Sequence, residues 1–435
     1  MKLFKKKPII IEGHTFSEYL SRYGREYIMG RGEILKDVNK LKPFKRYWHI
    51  NGEYYQVGFK KELRIAFIAI SSLSLIACII LPIYFCVIAP MERYHDYNFT
   101  YWNNCESLNK LKEYVKDSVT PSNTNYVPQN DRIATFDMDG TLFGERSQIY
   151  LEWMMYNDYY DYLVKNKPSD IRLNSEIDVP NESDAPGADP TVKITAKQVY
   201  DAIEYFENTR ECKDIINEGT KVVSLEFGEA YLGASLFSTL SIDEYYEIVD
   251  NMLEKDAVSF NNLKNCDMFY KPMIEVVNFL LNNNYNVYIV SGTDRFLVRS
   301  IISRHLEIPY YRIIGMDVEL EVDQTSGEVV RTGNLIVKNV KEAKVTLITQ
   351  EIGKRPILSF GNSSGDIAMH DFTISKFNKY HSQAYMVLAD DNEREYAQAK
   401  WESQKNQWNE KGYNIFSMKD DFKTIYGDNV TKNNK

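Results

Sequence analysis

Asp137-Met138-Asp139-Gly140-Thr141 places two carboxylates two residues apart. At the end of a strand, side chains at i and i+2 face the same side. One carboxylate can then attack as a nucleophile while the other handles protons. Gly140 permits the tight turn that must follow. Ser291-Gly292-Thr293 offers a hydroxyl and backbone N–H groups, which can hold phosphate oxygens. Lys341, with Lys338 and Lys344 as near alternatives, could set an ammonium against the charge of a phosphoryl group. Gly361-Asn362-Ser363-Ser364-Gly365-Asp366 presents amide, hydroxyl and carboxylate oxygens within one short loop, and such hard donors suit magnesium.

These clusters need strands to carry them. The apolar run ending in Ala134-Thr135-Phe136 reads as a buried strand leading into the Asp137 loop. From Lys271 onward, MIEVVNFLLNN, RFLVRSIISRHL and VKEAKVTLITQEIG read as helices. NVYIVSG, IIGMDVEL, PILSFGN and AYMVLAD read as strands. Strands alternating with helices of this length imply an α/β fold, a doubly wound parallel (Rossmann-like) sheet covered on both faces. In such sheets reactive groups gather at the carboxyl ends of strands, where the polar clusters fall. Between the first two clusters the pattern is mostly helical. TAKQVYDAIEYFENTR and SIDEYYEIVDNMLEKDAV have 3.6-residue apolar spacing, with Ser241 placed to cap the second. The polar, proline-bearing stretch 165–192 reads as a mobile loop within this insertion.

Taken singly, each cluster is also what an acidic turn, a Ser-Gly turn, a surface lysine or a glycine-rich helix cap looks like. Their order along the chain is more specific. Strand–DxDGT, strand–SGT, lysine, strand–GNSSGD resembles the haloacid dehalogenase-like hydrolase superfamily, in its phosphoserine-phosphatase-like branch, over about residues 128–395. The resemblance implies Asp137 as nucleophile and Asp139 as general acid/base. It implies that Ser291, Gly292 and Lys341 hold the phosphoryl group. It implies Mg²⁺ bound through Asp137, Asp139, Asn362 and Asp366. It also implies a helical cap over the substrate, and a small phosphorylated substrate hydrolysed through an aspartyl-phosphate. Lys341 is preferred because KEAKVTLITQEIG matches the family's lysine-initiated helix. One departure is plain: the final motif usually begins Gly-Asp, and here it begins Gly361-Asn362. Glu145 and Arg146 lie near where a substrate-reading acid would stand. A phosphomutase or other phosphoryl transferase of the same superfamily is the alternative. A catalytically weak, membrane-tethered binding module is the alternative of another class. A dehalogenase would not need Asp139.

Charge and hydropathy divide the chain. Residues 1–64 carry 15 Lys/Arg against 7 Asp/Glu, whereas 92–435 carry 37 against 54. An acidic large domain without a basic stripe speaks against nucleic acid as a partner. Residues 65–91 hold no charge at all, and about 20 apolar residues suffice to cross a bilayer. The expectation is one transmembrane helix at 65–90 after a cytoplasmic basic tail at 1–64. Lys60, Lys61 and Arg64 on one flank against Arg93 on the other would put the catalytic domain outside the cytoplasm. A connector at 91–127 would follow, then a core of 128–147 and 269–435 interrupted by a cap at 148–268. Cys105, Cys212 and Cys266 are too widely spaced for a zinc site. One disulfide with one free thiol, or three lone thiols, is compatible with that spacing.

Overall fold

A short, wholly buried strand, Ile133–Phe136 (β1), is the centre of the second of two units, 91–435, into which the chain divides. The computed structural model describes residues 10–11, 14–15, 34–35, 45–50, 53–59 and 61–83. From residue 93 it describes all but 146–149, 210, 398–399 and 434–435. Around β1 are Asn286–Asp294 (β2), Ile313–Val322 (β3), Val329–Val337 (β4), Leu358–Gly361 (β5), Gln383–Leu388 (β6) and Asn414–Ser417 (β7). They form one sheet in the order β4-β3-β2-β1-β5-β6-β7, parallel throughout except for the antiparallel edge strand β4. The α/β class and its mostly parallel sheet are as the alternating pattern implies. β4 and β7 are additions that the pattern does not reveal.

Register explains how the middle of the sheet is held. Phe136 lies opposite Phe360, and Phe360 opposite Tyr385. Side chains at matched positions share a face. The Phe136 and Phe360 rings stack at 4.1 Å, and Phe360 and Tyr385 at 5.1 Å. Phe416 and Trp102 continue the row. Trp102 comes from the stretch expected to be a connector. There the helix Glu106–Val119 (α1) buries Leu108, Leu111, Val115 and Val119 against the core. Residues 93–127 are therefore part of the folded unit, because their apolar face is needed to cover the sheet.

Between β1 and residue 260 the chain carries the helices Leu151–Asn166 (α2), Ala196–Thr209 (α3), Leu225–Leu236 (α4) and Ile242–Leu253 (α5). Ser241 caps α5 in a reciprocal capping box with Glu244. Glu176–Pro180, in the polar 165–192 stretch, pairs antiparallel with Thr191–Thr195, which runs past the end of that stretch. Helices Lys271–Asn282 (α6), Arg295–Ser303 (α7), Glu342–Glu351 (α8), Ile367–Thr373 (α9) and Trp401–Glu410 (α10) complete the unit. Cys105, Cys212 and Cys266 are free thiols.

In the first unit, Lys45–Ile50, Glu53–Phe59 and Ile34–Leu35 form a small antiparallel sheet, and a helix spans Lys61–Ile83. Among the described residues no helix is long and apolar enough to cross a membrane. This overturns the expected transmembrane span and, with it, the single-pass topology. The helix gives its first turn to Lys61, Glu62 and Arg64, and Ser71, Ser72 and Ser74 interrupt its apolar run. The remainder of the uncharged stretch, with Cys86, lies outside the described residues.

One buried histidine gives the core a pH limit. His370 on α9 is fully buried, with Nδ1 2.7 Å from the Ser359 hydroxyl and Nε2 3.2 Å from the Met386 sulfur. Burial lowers its pKa from 6.5 to about 4. A depressed histidine stabilises the fold above its unfolded value and withdraws that contribution as pH falls. We expect stability to drop between pH 6.5 and 4, by on the order of 3 kcal/mol at the lower end. Denaturant titrations across that range should show a shallower slope for His370→Gln than for the parent. Identical slopes would refute the assignment.

Candidate active site

The chain leaves β1 with its next amide already committed: Asp137 N–H donates to the Phe360 carbonyl on β5 at 2.9 Å. This pins the Asp137 carboxylate at the carboxyl end of the sheet. Its Oδ1 accepts from Lys344 Nζ at 2.6 Å, and Thr141 Oγ1 lies 3.4 Å from its Oδ2. Lys344 also donates to Asp366 Oδ1 at 2.7 Å. One ammonium thus sits between two buried carboxylates. Burial and the Asp366 charge push the Asp137 carboxyl well above the usual range, against the pull of Lys344. Burial works against the Lys344 ammonium, but Asp137 and Asp366 outweigh it and raise its pKa.

Asp139 meets hydroxyls. Thr293 Oγ1 donates to its Oδ2 at 2.9 Å, and Ser291 Oγ lies 3.4 Å from the same oxygen. Burial raises its carboxyl from 3.8 to about 7; the Thr293 hydrogen bond opposes the shift, while Glu145 and Glu152 add to it. The strand end supplying these hydroxyls is ordered locally, since Thr293 N–H donates to Ser291 Oγ at 3.1 Å. Gly292 lines the same cavity, and a Cβ there would come within 2.9 Å of Val340.

The lysine assignment needs correction. Lys341 is the N-cap of α8, exposed at the cavity rim, with φ +54° and its N–H on the Gly365 carbonyl at 3.1 Å. The helix proper begins at Glu342, so Lys344, almost one turn in, is the residue that faces the strand ends. Lys338 is engaged elsewhere, 3.5 Å from Glu152 Oε2.

Asp366, expected among the metal ligands, has both carboxylate oxygens engaged by protein groups. Its Oδ1 takes Lys344, and its Oδ2 accepts the backbone N–H groups of Asn362 and Ser363 at 3.0 and 3.1 Å. It organises the loop and holds the lysine. The oxygens left for a cation are Asp137 Oδ2, the Asp139 carbonyl and the Asn362 side-chain amide. Among the described residues no three His, Cys, Asp or Glu side chains gather as a metal cluster. Mg²⁺ accepts such a sparse set, because it keeps waters and takes substrate phosphate oxygens. The donors present therefore fit that ion.

Tertiary packing adds residues that motif reading does not reach. Asn362 Nδ2 donates to Glu145 Oε2 at 2.6 Å, and Tyr150 OH donates to Glu145 Oε1 at 2.5 Å. Gly140, with φ +75°, lies so near this pair that a Cβ would fall 1.9 Å from Asn362 Nδ2. Glycine is required there on both counts. Arg146 lies outside the described residues. Glu152 of α2 accepts the Asp294 N–H at 3.0 Å, and Asp294 receives the buried Arg331 guanidinium at 2.8 Å. These bonds tie the inserted helices to the end of β2. Gly140, Glu145 and Asn362 stand in or beside the motifs read from sequence, and Thr293 stands within the SGT triplet; Tyr150, Glu152, Asp294 and Arg331 carried no such signal.

No family model matches the chain, and no curated protein matches it. Solved structures do. A conserved, functionally unknown protein from Anaerococcus prevotii DSM 20548 is 16% identical, with 76% of this chain and 97% of that chain covered and a TM-score of 0.45. A phosphoserine phosphohydrolase-like protein from Francisella tularensis subsp. tularensis SCHU S4 is 11% identical over 63% and 92% of the two chains, at 0.32. Cytosolic 5′-nucleotidase IIIB bound to cytidine is 11% identical over 66% and 80%, at 0.36. At these identities and scores the likeness concerns the fold at most, and the family resemblance carried by the four motifs stands beside it.

Proposed function

We propose that this chain is a phosphomonoesterase, of the haloacid dehalogenase-like kind, working through an aspartyl-phosphate on Asp137. The observation that carries this reading is the division of labour between two carboxylates on one strand end: Asp137 is gripped by a lysine, and Asp139 is surrounded by hydroxyls and lifted to about 7. An Asp137 carboxylate oxygen attacks phosphorus, and the bond to the leaving oxygen breaks as Asp139 gives that oxygen a proton. A water then attacks phosphorus, Asp139 takes the proton, and the bond to Asp137 breaks to release inorganic phosphate. Lys344 draws charge from the nucleophile's carboxylate and the phosphoryl oxygens near it. Gly292 and Ser291 present polar groups at the end of β2. Asp137, the Asp139 carbonyl and Asn362 would hold Mg²⁺, which when bound supplies positive charge to the transferring phosphoryl group.

The test is hydrolysis of an aryl phosphate and an alkyl phosphate by the full chain, with and without Mg²⁺. Asp139→Asn should slow attack on the alkyl ester by roughly 10²- to 10⁴-fold, because a basic alkoxide needs a proton to leave. Attack on the aryl ester should suffer far less, leaving a burst of phenol followed by slow turnover. Equal loss in the first step with both esters would show that Asp139 is not the acid. A phosphomutase would instead need turnover of a sugar phosphate in the presence of its bisphosphate.

A further inference from the structure

The cavity that Asp137 lines has a volume of about 610 Å³, and Tyr150, Trp153 and Phe206 give part of its wall an aromatic character. Tyr150 and Trp153 pack at 4.8 Å, and Trp153 and Phe206 edge to face at 5.4 Å. Tyr396 lines the cavity as well, with Lys432 Nζ 3.6 Å from the centre of its ring. Trp153 is buried, while Tyr150, Phe206 and Tyr396 are half-buried and leave surface to the cavity. The Glu226 carboxylate, on α4, opens into the same space. A small amino-acid leaving group would use a charge pair there and leave the rings without a partner. A flat ring would stack on them, since aromatic faces and edges attract ring systems in offset or T-shaped contact. Glu226 could then accept N–H groups at the ring's edge.

Resting on the phosphatase reading, we propose that the substrate is a phosphomonoester whose leaving group carries a planar aromatic or heterocyclic ring, seated against Tyr150 and Phe206, the two rings that Trp153 backs. Phosphoserine and other small aliphatic esters would then be poor substrates even though the reacting groups accept them.

A matched pair of esters isolates the ring. Adenosine 5′-monophosphate and ribose 5-phosphate share the same reacting C–O–P linkage, so the basicity of the leaving oxygen is the same. With Mg²⁺ present, kcat/KM should be at least about tenfold higher for the nucleotide, chiefly through KM. Phe206→Ala should lower the ratio between the two esters severalfold. Equal kcat/KM for the pair, with both hydrolysed, would overturn the ring site and leave the phosphatase reading intact. Calorimetric binding of the same pair to the Asp137→Asn protein reads the contrast without turnover. Should neither ester be hydrolysed, tighter binding of the nucleotide supports the ring site, and equal binding refutes it.

Discussion

Asp137→Asn is expected to abolish phosphatase turnover, with a loss on the order of 10⁴-fold or more, as removal of an enzyme's nucleophile typically costs. The amide has the shape of the carboxylate but almost none of its nucleophilicity, so no acyl phosphate forms. The fold should survive. Lys344 keeps its contact with Asp366 at 2.7 Å, and the backbone bond from residue 137 to Phe360 does not depend on the side chain. One buried charge is removed from a cluster of three, at a position where burial and the Asp366 charge already push the carboxyl up against the pull of Lys344. The measurement is steady-state hydrolysis of an aryl phosphate beside a mass spectrum of acid-quenched protein. The parent should carry a phosphoryl group on Asp137 and the variant none. Turnover by the variant at the parental rate would dismiss the covalent mechanism.

The second large effect separates two lysines three residues apart. Lys344→Met should lower kcat/KM by about 10²- to 10³-fold, the usual consequence of losing a preorganised charge at the transition state. It should also destabilise the fold by ~3–5 kcal/mol, because Asp137 and Asp366 are left buried without their shared cation. Lys341→Met should change activity by a few-fold at most and leave the melting temperature unaltered, since the Lys341 side chain is exposed at the cavity rim. Activity is to be read well below the melting temperature of each variant, so that loss of folded protein does not pass for loss of catalysis. A severe defect in the Lys341 variant beside a mild one in the Lys344 variant would restore the lysine that sequence pattern prefers.

The sheet and the residues at its strand ends were legible before any coordinates. Period-2 and 3.6-residue patterns are local properties, and Asp137, Asp139, Ser291 and Gly361–Asp366 each sit where such a pattern breaks at a strand end. The capped helix at Ser241 was legible for the same reason, because its capping box closes within four residues. Features decided by long-range packing were not. Which lysine reaches Asp137 depends on where α8 begins, and the left-handed turn at Lys341 that starts it is held by a bond to Gly365, far along the chain. The contact of Asp366 with Lys344 likewise depends on that same lysine arriving from another helix. Glu145 and Asn362 are 217 residues apart in sequence and 2.6 Å apart in space. The Glu152–Asp294–Arg331 chain likewise joins three segments whose buried charges composition alone reads as surface. The uncharged run after residue 64 misled in the opposite direction: composition suggested a span, and among the described residues no helix has the length and apolar character to make one. Sequence by itself thus determined the chemistry available at each strand end. The tertiary structure decided which of those groups meet, because burial and partner choice are set by elements that the local pattern does not connect.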